Sequence, residues 1–346
     1  MKKTVIFLVA LFMAAGMFAA DATFNLATYN IRQLNDGDVQ NGNGWSRRMP
    51  VLAKLIQFHQ FDIFGTEEGF RQQLNQLRDS LPGYAYIGAG RDDGKEAGEH
   101  SAIFYRTDLF DVVDHGDFWL SEHPDRPGLG WDAACVRICT WGHFRHKPSG
   151  KEFLYFNLHM DHIGVVARAE SARLIRKKIK EFGSGLPTFL SGDFNVDQHS
   201  PSYACVLEDG TFLDSYDLSP IKYITTGTYN GYRTDGFSPS RIDHIFVTPG
   251  VKVSRYGVLT DTYRAFEPSA DASGNPGKPA DGLRLDPNNE SNVTSFADNI
   301  DTSDKIDNGG NAPAELKMHR VVPHTPSDHF PVLITVTLPD RGSSAK

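Results

Sequence analysis

Cysteine is nearly absent from this chain. Cys135, Cys139 and Cys205 are too few, and odd in number, for a disulfide framework. An excess of basic charge is missing too: 35 Lys and Arg stand against 43 Asp and Glu, a formal net charge of -8. That excludes a passive coat protein for DNA or RNA, which needs a basic stripe, but not an enzyme that grips phosphate through metal ions. No Gly-rich dinucleotide loop, no P-loop and no internal repeat occurs. Collagen-like, coiled-coil and polytopic membrane architectures do not fit the composition either. What is present is a chain of 346 residues, 40% hydrophobic, long enough to bury a sizeable core without staples.

The first 20 residues, MKKTVIFLVALFMAAGMFAA, place two lysines before a short apolar run and then small residues. This is the layout of a secretory signal peptide, with cleavage expected near Ala19 or Ala20. A buried helix or a single membrane anchor is the alternative, opposed by the short apolar stretch and the polar, strand-like segment that follows. No cysteine at the boundary supports a lipid anchor. Export to the periplasm or the outside is therefore expected, with no stable membrane insertion. Loss of Lys2 and Lys3 would leave 33 basic residues against 43 acidic, a net charge of -10.

From Phe24 onward, short apolar runs alternate with amphipathic stretches. Strands are predicted over 24–30, 61–67, 101–105, 137–144, 153–159, 188–190, 242–248 and 332–338. Helices are predicted over 47–59, where Met49, Leu52, Leu55 and Ile56 make one apolar stripe, and over 70–80 and 167–182. In the last, Ala169, Ala172, Ile175 and Ile179 are expected inward and Lys177, Lys178 and Lys180 mostly outward. The mixture fits stacked mixed sheets with outer helices better than a doubly wound parallel sheet. One domain is expected over 21–340, monomeric, carrying an Asp/Asn/Gly-rich insertion at about 267–315. Asp301, Asp304 and Asp307 within it lack the Gly and terminal Glu of an EF-hand loop, so a solvated loop is the reading.

Polar residues gather at the strand ends, where catalytic groups usually lie. Asn30 ends the first strand, Glu67 and Glu68 the second, and His159 a later one, followed by Met160-Asp161-His162. Gly192-Asp-Phe-Asn195, Arg241-Ile-Asp243 and Ser327-Asp-His329 complete the set. Carboxylates with amides nearby suit a hard cation such as Mg²⁺ or Mn²⁺, with Ca²⁺ an alternative. Two histidines with acidic partners suit proton transfer. Each fragment alone has a bland reading, an Asx turn or a structural histidine. In this order they point to phosphoester hydrolysis, because a phosphoryl transition state needs a cation, an amide and imidazoles around its oxygens.

In that order the fragments resemble the endonuclease/exonuclease/phosphatase superfamily, which includes pancreatic-type deoxyribonucleases, deadenylases, neutral sphingomyelinases and inositol-polyphosphate 5-phosphatases. The motifs are Tyr29-Asn30-Ile31-Arg32, Phe61 to Glu68, His159, Gly192 to Asn195, Arg241 to Asp243 and Ser327 to His329. Trp131-Asp-Ala-Ala, Arg137 before Thr140-Trp141, and His159 to Gly164 look like a secreted bacterial branch near the deadenylase-like members. The resemblance implies a four-layer α/β sandwich of two packed mixed β-sheets flanked by helices, with the site in the cleft where the sheets' loops meet. It implies Glu68 as the metal-binding glutamate, with Glu67 where the family usually has Gln, and Asn30 and Asp328 completing the metal environment. Asp193 would orient or deprotonate the attacking water and Asn195 would hold the phosphate. His329 would contact a phosphate oxygen with Asp243 fixing its tautomer, and His159 would act as acid or electrostatic stabiliser, with Glu99 its proposed orienting carboxylate.

Several residues keep two readings. Arg137 and Arg168 bind phosphate or pair with acids. Asp161 and His162 make a substrate contact or a loop-fixing hydrogen bond; a dinuclear zinc motif would need a histidine where Asn157 stands. Cys135 and Cys139 are read as a free buried pair in one strand, and Tyr29, Trp45, Trp119 and Trp131 as cleft walls or core. The leading expectation is an exported, divalent-metal-dependent phosphoesterase cleaving phosphodiesters by nuclease-like inline attack of water, with nucleic acid as one candidate substrate. Its acidity disfavours processive polynucleotide binding, and the absence of an aromatic-tipped membrane segment disfavours a sphingomyelinase-like lipid substrate. Hydrolysis of a phosphomonoester, a zinc hydrolase and a catalytically silent binding protein are the alternatives.

Overall fold

Residue alternation explains most of the architecture. In strand β1 (Thr23–Asn30), Phe24 and Leu26 point one way and Ala27 and Tyr29 the other, and all four are buried. A strand buried on both faces belongs in the middle of a layered fold. The computed structural model describes residues 22–183, 185–265 and 322–339. The expected signal segment at 1–20 and the expected insertion at 267–315 lie outside them.

After β1 come α1 (Asp36–Gln40), α2 (Trp45–Phe58), β2 (Ile63–Gly69), α3 (Arg71–Asp79), β3 (Tyr84–Ile87) and β4 (His100–Arg106). Next are β5 (Phe110–Trp119), β6 (Ile138–His146), β7 (Glu152–His159), α4 (Val165–Phe182) and β8 (Thr188–Asp193). Then follow α5 (Pro201–Leu207), β9 (Leu213–Asp214), α6 (Ser215–Leu218), β10 (Lys222–Tyr223), β11 (Asp243–Val247) and β12 (Lys252–Val258). The chain closes with β13 (Tyr263–Ala265), β14 (Val322–His324) and β15 (Val332–Thr337). Two mixed sheets result, ordered β10-β12-β15-β1-β2-β4-β3 and β5-β6-β7-β8-β11-β9. β13 pairs with β14, so the two described ends of the chain around 266–321 lie side by side.

Three apolar clusters define four layers. Phe24, Leu26, Ile63, Phe153, Phe189, Ile245 and Ile334 fill the space between the sheets. Ala27, Phe64, Phe104 and Leu333 pack the seven-stranded sheet against Leu52, Ile56 and Leu74 of α2 and α3. Phe156, Leu158, Leu190 and Phe246 pack the six-stranded sheet against Ala172 and Ile175 of α4 and Val206 of α5. This is the expected four-layer sandwich. No described helix is long and apolar enough to cross a membrane.

The sequence reading differs from the structure at a few places. Strand β5 went unread because its middle is polar and exposed and a bulge at Val112–Asp114 breaks its alternation. Cys135 lies ahead of β6 and is half-buried, so only Cys139 is a buried strand cysteine; both are free. Tyr29, Trp45 and Trp119 are buried, which makes them core rather than cleft walls.

The inward rows of the strands share one gradient. Phe24, Leu26, Thr28 and Asn30 follow one another on β1, and Phe153, Tyr155, Asn157 and His159 on β7. Phe189, Ser191 and Asp193 follow on β8, and Val247, Ile245 and Asp243, read backwards, on antiparallel β11. Each row runs from apolar residues to a polar end group, on β1, β7 and β8 through a hydroxyl or amide. Midway, Ser191 Oγ donates to Asn157 Oδ1 (2.7 Å), and Tyr155 Oη donates to Ala27 O in the other sheet (3.0 Å). Gly65 faces this belt, where a Cβ would overlap the Asn157 amide.

Candidate active site

Pairing places the end groups of these rows beside one another. His159 is the register partner of Asp193, Asp193 of Asp243, and Asn30 of Glu67. Gly192, at φ 144°, has no room for a side chain because a Cβ would overlap Leu158 O. It lets β8 pass close to β7 and aims Asp193 into the cleft.

Glu67 and Glu68 are neighbours with separate environments. Glu67 is wholly buried on the inward row and accepts from Thr28 Oγ1 (3.0 Å). Burial, then the nearby Asp243 charge, push its carboxyl well above the usual range, so it is a neutral acid standing in for an amide. A strict strand would turn Glu68 away from the cleft. Instead a bulge between Thr66 and Gly69, with Glu68 at φ 64°, turns it inward. Its Oε1 accepts from Asn30 Nδ2 (3.0 Å) and its Oε2 from Gln33 N (3.2 Å).

Asn30 Nδ2 also donates to Asp193 Oδ2 (3.0 Å), so one amide links the two carboxylates while its carbonyl oxygen accepts from Arg32 N (3.0 Å). Asp193 Oδ1 accepts from Asn195 N (2.9 Å). Burial and Asp243 raise the Asp193 carboxyl towards neutrality, opposed by His329. His329 Nδ1 lies 2.9 Å from Asp243 Oδ2 and its Nε2 3.7 Å from Asp193 Oδ2. Burial disfavours the imidazolium, yet Asp243 and Asp193 outweigh it and hold His329 charged well above the ordinary histidine range.

His159 is the opposite case. Burial and the Arg137 charge hold it well below the ordinary range. Asn195 Nδ2 donates to its Nε2 (3.0 Å) and to Met160 O (3.0 Å), so the ring hydrogen belongs on Nδ1, 3.7 Å from Glu99 Oε2. Glu99 in turn takes Arg91 Nη1 at 2.6 Å. In this state His159 is a neutral acceptor facing Asn195, and an acid role requires a proton brought by the substrate.

The groups that could hold a cation share only Glu68 with the expected set of Asn30, Glu68 and Asp328. Oxygens of Glu68 and Asp193 and a nitrogen of His159 lie within 4.8 Å of one another, and a half-turn of the Asn30 amide would add a fourth donor. Asp328 sits farther round, its Oδ2 3.6 Å from Arg32 Nη1. Arg32, quoted only as part of a motif in the sequence, also reaches Asp38 (3.0 Å) and Glu68 (3.8 Å) from a left-handed backbone at φ 59°. Sequence reasoning gave it no role, and nothing in the order of residues signals its backbone.

The remaining candidates gather beside His159. Asp161 Oδ1 accepts from Ile163 N (3.0 Å) and Gly164 N (2.7 Å) and its Oδ2 from Cys135 N (3.0 Å). Burial would raise this carboxyl, but the backbone donors outweigh it and hold it well below the usual range. Loop fixing is thus the observed part of Asp161. Arg168 Nη1 donates to Asp161 O (2.9 Å), and Arg137 Nε sits 3.5 Å from Asp161 Oδ2. A zinc centre on His159, Asp161 and His162 does not fit: the Asp161 oxygens are engaged and a guanidinium stands where the cation would need acceptors.

Buried carboxylates, a charged and a neutral imidazole and an amide around one cleft, on a two-sheet sandwich, define a hydrolase acting on phosphoester bonds. The chain belongs to the Endonuclease/Exonuclease/phosphatase family, whose sequence profile matches residues 27–329. It is 46% identical to an endonuclease/exonuclease/phosphatase family protein of Bacteroides thetaiotaomicron, covering 92% of this chain and 98% of that one at a TM-score of 0.75. It is 47% identical to the structure of a mannosyl-6-phosphatase of the same organism, covering 90% and 99% at a TM-score of 0.74. Among curated relatives, the uncharacterized protein L388 of Acanthamoeba polyphaga mimivirus is 29% identical over 161 residues, 44% of this chain. The chain spans less than two thirds of the curated relatives it matches, 60% of that viral protein and 30% of Drosophila melanogaster Nocturnin.

Proposed function

We propose that this chain is an exported, divalent-metal-dependent phosphatase that releases phosphate from a phosphorylated sugar. The observation that carries the reading is the 47% identity, over nearly the whole of both chains, to the Bacteroides thetaiotaomicron mannosyl-6-phosphatase. The charge pattern agrees with it. A phosphomonoester finds the His329 imidazolium in the cleft and the Arg137 and Arg91 guanidiniums behind His159, while a net charge of -8 disfavours tight binding of a polynucleotide.

Glu68, with Asn30 and the neighbouring carboxylates, would hold a Mg²⁺ or Mn²⁺ ion, which would supply Lewis-acid polarisation of a phosphate oxygen. The chain's own groups do the rest. Asp193, fixed by Asn30 and Asn195 N, orients the attacking water and takes its proton, for which a raised carboxyl is suited. His329 donates from Nε2 to a non-bridging oxygen, its tautomer and charge held by Asp243. Asn195 leaves His159 to hold the phosphate, and His159 takes on Nε2 the proton that a monoanionic ester brings and passes it to the departing sugar oxygen. No described residue has an arrangement suited to a covalent phosphoenzyme, so direct attack of water is the proposed route.

The test is a rate screen of the purified mature protein with Mg²⁺, Mn²⁺, Ca²⁺ or Zn²⁺. Substrates are mannose 6-phosphate, other hexose phosphates, p-nitrophenyl phosphate, bis-p-nitrophenyl phosphate and nucleic acid, with Asp193→Ala as the blank. Metal-dependent phosphate release from a hexose phosphate, absent in the blank, is expected. Faster cleavage of the diesters would replace this reading with the nuclease-like one.

A further inference from the structure

The loop that leaves β7 immediately after His159 carries a chain of contacts that phosphate chemistry does not require. Asp161, saturated by backbone N–H groups, holds the Arg137 guanidinium. Arg137 is 5% exposed, and its Nη2 lies 3.1 Å from Nδ1 of His162, whose ring is exposed. A guanidinium has donors only, so His162 Nδ1 must accept and its ring hydrogen must sit on Nε2. A buried cation thus fixes the tautomer of a surface imidazole, at the cost of burying an arginine.

His162 is exposed three residues past His159, on the short loop that joins the cleft end of β7 to α4, and so stands on the His159 side of the cleft. We propose that His162 is a specificity-determining residue whose Nε2–H donates to a hydroxyl oxygen of the sugar, with Arg137 as its positioning residue. The proposal rests on the sugar-phosphatase reading and assigns the sugar's recognition to this side of the cleft. An N–H donor held in one direction suits the hydroxyl oxygen of a polyol. It also explains why Asp161 is tied so firmly: slack there would pass through Arg137 to the His162 ring.

Two measurements test it. Long-range ¹H–¹⁵N spectra of histidine in the free protein are expected to show the Nε2–H tautomer for His162, and a tautomer mixture in Arg137→Gln. A dominant Nδ1–H form in the wild type overturns the proposal. In the metal-loaded enzyme, His162→Ala is expected to lower kcat/KM for mannose 6-phosphate about tenfold more than for p-nitrophenyl phosphate, mainly through KM, because only the first offers a hydroxyl to the ring. His162→Asn, which keeps a donor, is expected to recover part of that ratio. If the wild type hydrolyses hexose phosphates and His162→Ala leaves the ratio unchanged, this inference fails alone. If the wild type cleaves p-nitrophenyl phosphate and no hexose phosphate, the sugar-phosphatase reading fails and takes this one with it.

Discussion

His329 is held between two carboxylates of different use: Asp243 Oδ2 meets its Nδ1 at 2.9 Å, and Asp193 Oδ2 stands 3.7 Å from its Nε2. The first pair fixes tautomer and charge, and the second marks where a substrate oxygen would come between them.

Asp243→Asn keeps the shape and removes the charge. Because Asp243 is the strongest influence holding His329 protonated against burial, the variant's imidazole loses its proton at a lower pH. The protonated form is the phosphate contact, so activity vanishes as pH rises through the folded value. The alkaline limb of the kcat/KM profile is therefore expected to move to lower pH, with kcat reduced about 10²-fold at neutrality. An unmoved limb would remove His329 from the proton inventory.

Asp193→Asn is expected to lower kcat by about 10³-fold or more while the far-ultraviolet dichroism and melting temperature stay near wild type. Loss of rate together with loss of fold would leave Asp193 a structural residue.

Glu68→Gln is expected to weaken Mn²⁺ binding at least about tenfold by calorimetry, and Glu67→Gln to leave it within about twofold. Reversed results would reassign the ligand.

Glu67 also makes stability depend on pH. Its folded carboxyl stays protonated above the range in which the unfolded chain ionises, so the native state binds the extra proton and stability falls as pH rises from the ordinary carboxyl range towards the folded value. Glu67→Gln does not titrate. From urea midpoints at pH 5 and pH 8, the variant is expected to gain at least about 1.4 kcal/mol on the wild type, the equivalent of a tenfold difference in proton affinity. Parallel pH dependences would mean that Glu67 is ionised in the fold.

Asp132 caps a helix from outside it. Its Oδ1 accepts from Ala167 N (2.6 Å) and its Oδ2 from Val166 N (3.2 Å), the free donors at the start of α4, whose own residue at that end is Gly164. Asp132→Ala is expected to lower the midpoint of urea unfolding. A neutral result would show that water replaces the carboxylate without loss.

The layered fold and the cleft residues were legible because alternation and order survive in a bare sequence: Phe24, Leu26, Thr28 and Asn30 already spell an inward row. Within the site, two things were not. One is a bulge, which adds a residue without a signature and alone decides that Glu68, as well as Glu67, turns inward. The other is what a charged side chain meets. Arg137 and Arg168 read equally as phosphate contacts or partners of acids, and the structure ties both to the Asp161 loop. Strand β5 escaped for the plainer reason that an edge strand need not bury its middle.

The last strand of the chain, β15, lies between β1 and β12 in the middle of its sheet, not at an edge. Its partner β1 is the first strand described, so the central ladder joins residues more than 300 positions apart, as Thr23 with Thr337. Closing so long a loop is slow, and no shorter piece of the chain can substitute for it. Synthesis must pass β15 before the sheet has a centre. Asp328 and His329 arrive with that same strand. A chain cut short of β15 is thus expected to be silent, because hydrolysis waits for β1 and β15 to find each other.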